Sequence, residues 1–594
     1  MAEISTSSRN SKTNLVLEVI RTKKVLLIGL LFSILSFSHL PVAVFPHIFD
    51  KNGAAQFITL TVIAALLGGY IVWRSSQFVT HAYLRAAILF LLLAVATSAL
   101  LSGNIITAFT GDTGRYAGAI TLFCLIIVAI FHSPLTFEQL KKLLEIYVFT
   151  TFLVSLVGIA QYFNLIELPG DQGVTSVLGN SNFFAAYLGT SMPLYFFLGI
   201  GASRRRKALL GVAVTIVFAS LVWADPLQSY VDIAFTIIGI SIFLLRKRIP
   251  RFNWTLNVRT FLGTFALIIW AEFIFLVPFL GSWIPVLGND IQVKIRSNFW
   301  LAAVRQFFDF PLLGVGPDQY GSYYEKYRTF EDARAYEKIL SNDAHSASVQ
   351  TLATLGIVGT LAILILVAIL VRSLMIQWDR NPAQRPWLFA LGLFFFVYYT
   401  NSFVSPITIP SKYLFWALAG WVIGKSYLGE FSKKASLRIP VASLVIFILF
   451  ISGNFINSQW KYTNAFEKYA KDRKAVGSYE FSPYLPCFMY FEGAFHINEN
   501  RSVDDIANLA RQQIGANPRC VSAHLILAQI YQGTGDMDRW RTQVLAMVEI
   551  APTRVEVLRM GLEYASKAGE VDLYNDLQDR MTQLGLVYVP GNPG

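Results

Sequence analysis

The sequence predicts an all-α fold: a polytopic membrane helix bundle of about 13 spans, followed by a soluble helical-repeat region. Three observations carry that reading. Hydrophobic residues make up 54% of the 594 and charged residues only 14%, with a mean hydropathy of +0.50; an ordinary soluble domain is about one quarter charged. Apolar runs of roughly 20 residues recur along the chain, the length that crosses a hydrocarbon core of about 30 Å. From residue 459 onward, polar and charged residues return with the spacing of amphipathic helices.

Taken in order, the apolar runs lie near 25–46, 54–73, 82–101, 117–132, 143–161, 182–201, 208–224, 230–245, 260–281, 345–371, 387–404, 412–429 and 439–457. The loops between them divide by charge. RTKK (21–24), LKK (140–142), SRRRK (203–207), RKRIPR (246–251), RNPAQR (380–385) and SKKASLR (432–438) all fall on one side. The opposite short loops carry mostly Asp and Glu, or nothing. Lys and Arg collect in cytoplasmic loops. The sequence therefore places the tail 1–24 inside, the bundle at 25–458, and the large segments 282–344 and 459–594 outside. The first run is too long for a removable signal peptide and lacks a small-residue cleavage site. A net charge of +12 would suggest nucleic acid in a soluble chain; here it flanks membrane spans, and no nucleic-acid partner is expected.

In the outer C-terminal region, Asn517-Pro518 recurs as Ala551-Pro552 and Gly535 as Gly569, both at a spacing of 34. A helix–turn–helix period of that length resembles tetratricopeptide repeats, read either as a surface that holds a partner or acceptor, or as a helical cap on the membrane part. Cys124 lies inside a span as a packing residue. Cys487 and Cys520 both fall outside, where an oxidising compartment lets them pair; two free thiols are the alternative. Asp536 and Asp538 form a DxD in a repeat turn, which reads as a chance match. There is no phosphate-binding glycine loop, HExxH or CxxC, and the 7 histidines lack ligand spacing. No metal and no cofactor is expected.

What remains is a set of polar residues that the topology gathers at outer span ends. FTGDTGRYAGAITLF (109–123) brings Arg115 to the entry of the fourth span, and SVLGNSNFFAAYL (176–188) brings Asn180 and Asn182 to the start of the sixth. The block beginning VKIRSNFWLAAVRQFF at residue 293 holds Lys294, Arg296 and Arg305; ILSNDAHSASVQTLATLG (339–356) delivers His345 to a long apolar run. Each has a structural reading: interfacial arginines snorkel, asparagines cap helices, a lone interfacial histidine packs. Together they oppose the positive-inside bias. An external arginine near the membrane calls for an anion, and a guanidinium fork suits the paired oxygens of phosphate. Helical geometry turns Arg305 to the face opposite Arg296, which leaves Lys294 and Arg305 as secondary anion contacts. Glu272, in mid-span, is costly in lipid and is expected to face the bundle interior.

RYAG, GNSNFFAAYL, the block from Arg296 through PLLGVGPDQY, and AHSASVQTLATLGIVG occur in the order seen in the O-antigen ligase/polymerase superfamily, which the chain resembles over roughly residues 100–425. That resemblance implies a GT-C-like membrane glycosyltransferase of the bacterial inner membrane, acting without a metal on an undecaprenyl-diphosphate-linked glycan. It implies Arg115 and Arg296 as binders of the diphosphate. His345 matches the histidine of the family's AHN motif, the group that activates an acceptor hydroxyl. Asn180 and Asn182 fall in the substrate-binding set, and Asp225 is either a turn residue before Pro226 or a contact to sugar hydroxyls. The sequence departs from the family pattern at Ser346, where Asn is common, and at Ala117, where an acidic residue is frequent. It departs again at WADPLQSYVD (223–232), where many ligases carry Ser-Arg-Gly.

The expected activity is transfer of a preassembled glycan from the carrier to an acceptor hydroxyl on the outer face. A lipid acceptor makes it a ligase, a protein acceptor an O-oligosaccharyltransferase, and a lipid-linked glycan a polysaccharide polymerase. A flippase for the same lipid-linked glycan is the alternative from another class. It predicts polar residues distributed along the spans, whereas these concentrate at outer ends. A scaffold whose repeats recruit envelope enzymes is a third reading.

Overall fold

The computed structural model describes residues 25–37, 53–78, 82–168, 173–224, 226–245, 291–337, 339–427, 437–472, 482–485, 487 and 502–587, and among these no strand occurs. The bundle opens with α1 (Val25–Ser36), α2 (Gly53–Trp73), α3 (Ala82–Leu100), the short α4 (Ile105–Thr110), α5 (Ala119–His132) and α6 (Phe137–Tyr162). It continues through α7 (Ser181–Gly199), α8 (Arg204–Ala224) and α9 (Leu227–Leu245). A polar insertion follows with α10 (Ile291–Asp309), α11 (Tyr320–Tyr327) and α12 (Phe330–Ala335). The chain then returns to the bundle in α13 (Ala347–Arg380), α14 (Arg385–Val404), α15 (Ile409–Tyr427) and α16 (Arg438–Asp472).

Seven described helices are long and apolar enough to cross a membrane: α2, α6, α8, α13 and the apolar stretches of α3, α9 and α16. Helices also occupy most of the described residues of the expected spans at 117–132, 182–201, 387–404 and 412–429, and α1 covers part of the first. The expected span at 260–281, with Glu272, lies outside the described residues. One boundary moves. The helix expected from residue 230 begins at Leu227, so Gln228 and Ser229 join Asp232 on α9.

Lipid tails are as apolar as leucine, so these helices are held by close packing and hydrogen bonds rather than by exclusion of water. Gly420 and Gly424 of α15 show how. A Cβ on Gly420 would lie 2.2 Å from the Ala129 carbonyl oxygen, and one on Gly424 would lie 2.4 Å from that of Ser133. This small-xxx-small spacing lets α15 meet α5 backbone to backbone. Beside it Trp421 Nε1 donates to Leu135 O at 2.9 Å, and Gln377 Nε2 donates to Val422 O at 2.6 Å. Arg206 pairs with Glu145 at 2.6 Å at the same end of the bundle. Among the described residues, the basic segments at 140–142, 203–207 and 380–385 thus share one end, and His345 lies at the other.

At the His345 end, α13 is broken. Gly356 has φ +61 and ψ −164 inside an otherwise continuous helix, a region of backbone space open to glycine almost alone. A break leaves carbonyls before it and N–H groups after it without helical partners, which in a membrane must be met by protein. The segment PLLGVG (311–316) meets them. Val315 N donates to Ala353 O and Gly316 N to Thr354 O, both at 3.0 Å; Ile357 N donates to Pro311 O at 2.8 Å and Val358 N to Leu312 O at 3.2 Å. Ser98 Oγ of α3 donates to Leu313 O at 2.6 Å and to Thr354 O at 3.1 Å. The break detaches a short helix, 347–355, that carries His345 on its N-terminal side.

Beyond the bundle, α17 (Val503–Ala516), α18 (Val521–Thr534), α19 (Met537–Ile550), α20 (Val555–Ala568) and α21 (Val571–Gln583) build a second hydrophobic cluster. α18 and α20 begin 34 residues apart, as do α19 and α21, and Gly535 and Gly569 close α18 and α20 in the left-handed conformation. Asp536 of the DxD caps α19, accepting from Arg539 N at 3.1 Å. Cys487 and Cys520 are disulfide-bonded, with Cα atoms 5.7 Å apart, which resolves the alternative left open by the sequence. α16 joins the two cores: its Phe455 packs in the bundle and its Tyr462 in the C-terminal cluster.

The C-terminal helices grip the polar insertion at α11. Arg519 Nε, next to the disulfide, donates to Ser322 O at 2.8 Å with its guanidinium 4.0 Å above the Tyr323 ring, and Arg554 Nε donates to Glu325 at 2.8 Å. Replacing Arg519 and Arg554 together with alanine is expected to weaken this clamp by about 2 kcal/mol. Hydrogen exchange over residues 320–335 reads it as faster exchange than in wild type; unchanged protection would contradict the clamp.

Candidate active site

α5 has 14 residues, about 21 Å of helix, shorter than a membrane core of about 30 Å. The segment 111–118 occupies its N-terminal end and holds Arg115. Asp318 fixes that segment: its Oδ2 accepts the backbone N–H groups of Asp112 at 2.7 Å and Ala117 at 2.9 Å. Asn342 fixes it from the other side. Arg115 Nε donates to Asn342 Oδ1 at 3.1 Å, and Asn342 Nδ2 donates to Thr113 O at 3.0 Å. The Phe183 ring of α7 lies 5.1 Å from the Arg115 guanidinium, and Arg115 Nη1 is buried without a hydrogen-bond partner.

His345 precedes α13. Its backbone N–H donates to Asp343 Oδ1 at 2.6 Å, and its ring centroid lies 5.4 Å from that of Phe299 on α10. Arg296, three residues before Phe299, shares that face of α10. Tyr116, Asp318 and His345 all have positive φ, at 46, 57 and 55. Such conformations are uncommon outside glycine and store strain that the surroundings must hold; three of the five found at non-glycine positions among the described residues fall in the segments that carry Arg115, Asp318 and His345.

The electrostatics follow from burial. Desolvation lowers the His345 pKa to about 4, helped by Arg115 and Arg296 and opposed by Asp343. The imidazole is therefore neutral at pH 7. Desolvation and the Asp318 charge raise Asp112 to about 7, against the Thr113 N–H and Arg115. Asp318 is also raised by burial, against the two backbone N–H groups it accepts.

Three sequence-selected residues come within electrostatic reach here, Arg115 and Arg296 both acting on His345. Others do not join them. Lys294 is exposed. Arg305 is exposed on the far side of α10, where Nη1 donates to Tyr327 O at 3.0 Å. Asn180 caps α7, its Oδ1 accepting the N–H groups of Asn182 at 2.8 Å and Phe183 at 3.4 Å; the Asn182 carbonyl accepts Gln228 Nε2 at 2.5 Å. Asp225 lies outside the described residues.

The structure adds residues that sequence reasoning passed over: Asp318, Asn342, Asp343 and Lys412. Lys412, in the first turn of α15, interacts electrostatically with Asp318, Asp343 and Arg115. It had a signal. A lysine at the outer end of a span opposes the positive-inside bias, the same argument that selected Arg115. Among the described residues, no group of three or more His, Cys, Asp or Glu is placed to hold a metal ion.

This arrangement can bind an anion on Arg115, Arg296 and Lys412 and can accept a proton on His345. Residues 184–364 match the family model described as O-antigen ligase, a span that includes Arg296 and His345 and leaves Arg115 and Lys412 outside. No curated protein matches the chain. The family match supports a membrane glycan-transfer, ligase-type role.

Proposed function

We propose, taking the O-antigen ligase domain at residues 184–364 as premise, that the chain transfers a preassembled glycan from a polyprenyl diphosphate to an acceptor hydroxyl. The observation that carries this reading is the buried, unpartnered Nη1 of Arg115, on a side chain within electrostatic reach of Lys412 and of a neutral His345 on which Arg296 also acts. A buried guanidinium nitrogen without a partner is costly, which supports an anionic oxygen as its ligand.

In this reaction His345 takes the acceptor proton as the hydroxyl oxygen attacks the anomeric carbon. The bond from that carbon to the diphosphate breaks, its electron pair leaving on the diphosphate oxygen. Arg115, Arg296 and Lys412 stabilise the charge that develops there. Asp343 stabilises the imidazolium formed on His345. In the arrangement we propose, the N-terminus is cytoplasmic and the site and C-terminal helices face outward from a bacterial inner membrane. The 34-residue helical pairs, of tetratricopeptide type in this reading, present a surface for a bulky acceptor.

The test incubates purified full-length protein in nanodiscs with an undecaprenyl-diphosphate glycan and lipid, protein or lipid-linked glycan acceptors. Release of the carrier diphosphate with glycan appearing on an acceptor is the expected result. A ladder of lipid-linked repeats identifies a polymerase. Glycan movement across vesicles without carrier cleavage would overturn transfer in favour of transport.

A further inference from the structure

Inside the bundle, between α7, α9 and α14, lies a second polar cluster. Asp232 of α9 is 1% exposed, and its Oδ2 accepts Asn401 Nδ2 of α14 at 2.6 Å. At 100° per residue, Gln228, Ser229 and Thr236 share its helix face within an arc of about 100°. All three are buried, as is Asn401. Gln228 Oε1, Ser229 Oγ, Thr236 Oγ1 and Asn401 Oδ1 have no hydrogen-bond partner.

The neighbouring hydroxyls behave differently. Thr190 donates to Ala186 O at 2.8 Å, Ser191 to Leu188 O at 2.7 Å, Ser220 to Ile216 O at 3.0 Å and Ser402 to Tyr399 O at 2.7 Å. Each returns its proton to its own helix, the usual solution in a membrane. Ser229 and Thr236 do not, and they lie on the Asp232 face. α7 makes room for the carboxylate at Gly189, where a Cβ would fall 2.2 Å from Asp232 Oδ2.

A carboxylate in the membrane interior needs a counter-charge or a ligand, and each buried oxygen left without a partner costs about 1–3 kcal/mol. The donors are all oxygen, which suits a hard cation. Only one of them is anionic, which balances a single positive charge; calcium sites gather more oxygens and usually several carboxylates. We propose that Asp232, Asn401, Gln228 and Ser229 form an intramembrane sodium site; Thr236, seven residues and about 10 Å of helix beyond Ser229, lies too far along α9 to share an ion with it. Occupancy ties α9 to α14 and, through Gln228 Nε2 on the Asn182 carbonyl at 2.5 Å, to the first turn of α7 beside Arg115. Nothing in this inference depends on glycan transfer.

The test is the thermal midpoint of the full-length protein in nanodiscs, in sodium chloride against choline chloride at equal ionic strength. Ligand linkage predicts a saturable rise in midpoint with sodium over about 1 to 300 mM, absent in Asp232→Asn. Equilibrium binding of radioactive sodium should give about one ion per wild-type chain and none in that variant. Ser229→Ala keeps the carboxylate and is expected to raise the half-saturating sodium concentration about tenfold, whereas Thr236→Val leaves it unchanged; Ser229→Ala carries the test if Asp232→Asn does not fold. A sodium-independent wild-type midpoint, as a protonated carboxyl or a water cluster would give, overturns the proposal. So does sodium dependence that survives in Asp232→Asn.

Discussion

His345→Ala is expected to lower the turnover of glycan transfer by about a hundred- to ten-thousandfold, the range that a positioned general base supplies. The change falls on kcat, because the ring meets the acceptor proton only as the new bond forms, whereas Arg115→Ala and Arg296→Ala also raise the KM of the diphosphate donor. The pH profile adds a signature that loss of packing would not produce. The free imidazole, with its pKa near 4, is an acceptor above that pH and is blocked below it, so kcat/KM falls as pH drops through about 4. A bound diphosphate sets negative charge against Arg115 and Arg296 and cancels their lowering effect. The acid limb of kcat should therefore lie at higher pH than that of kcat/KM. Steady-state kinetics on purified protein measure both. Normal turnover in a His345→Ala, Arg296→Ala double variant, or coincident acid limbs in wild type, would sink the assignment.

Gly356→Ala is expected to give the largest loss of stability. Its backbone lies in a region where any other residue pays about 1–3 kcal/mol, and a Cβ would sit 2.4 Å from the Leu312 backbone carbon. That neighbour cannot move aside, because residues 311–316 are tied to both sides of the break by four backbone hydrogen bonds. Gly314→Ala meets the same obstacle from the opposite strand of the contact, with φ +67 and a Cβ 2.3 Å from the Thr354 carbon. Either variant should lower the thermal midpoint of the detergent-purified protein by several degrees and disturb His345, ten residues upstream of the last helical residue before the break. Gly392→Ala is the control: nothing lies within 4 Å of its Cβ, and alanine is the better helix former by about 1 kcal/mol. Equal midpoints for Gly356→Ala and Gly392→Ala would show that the break does not depend on glycine.

The two kinds of prediction draw on different information. The length of an apolar run and the sign of the charges at its ends are local quantities, and each is legible one segment at a time. Helices among the described residues therefore lie where hydropathy puts them; His345 was singled out by the motif through which the chain resembles its family, and Arg115 and Arg296 by a charge argument that needs only span order. Lys412 was within reach of that argument. The 34-residue recurrence was legible too, because a repeated turn repeats its glycine.

Other features rest on contacts that close large loops in the chain. Asp318 holds Asp112 across 206 positions, and Ser98 reaches the Thr354 carbonyl across 256. No periodicity encodes such pairs, so the helix break at Gly356 reads in sequence as an uninterrupted span. The pairing of Cys487 with Cys520 and the capping role of Asn180 were legible only as one of two readings, because sequence carries no distances; the turn of Arg305 away from Arg296 followed from helical geometry alone. The sequence by itself determined which segments are helices and at which end of the bundle the cations stand, because hydrophobicity and charge act residue by residue. Only the tertiary structure decided which cations meet, what neutralises them and where buried oxygens are left to find a partner. Those outcomes depend on distances between residues that sequence order keeps far apart.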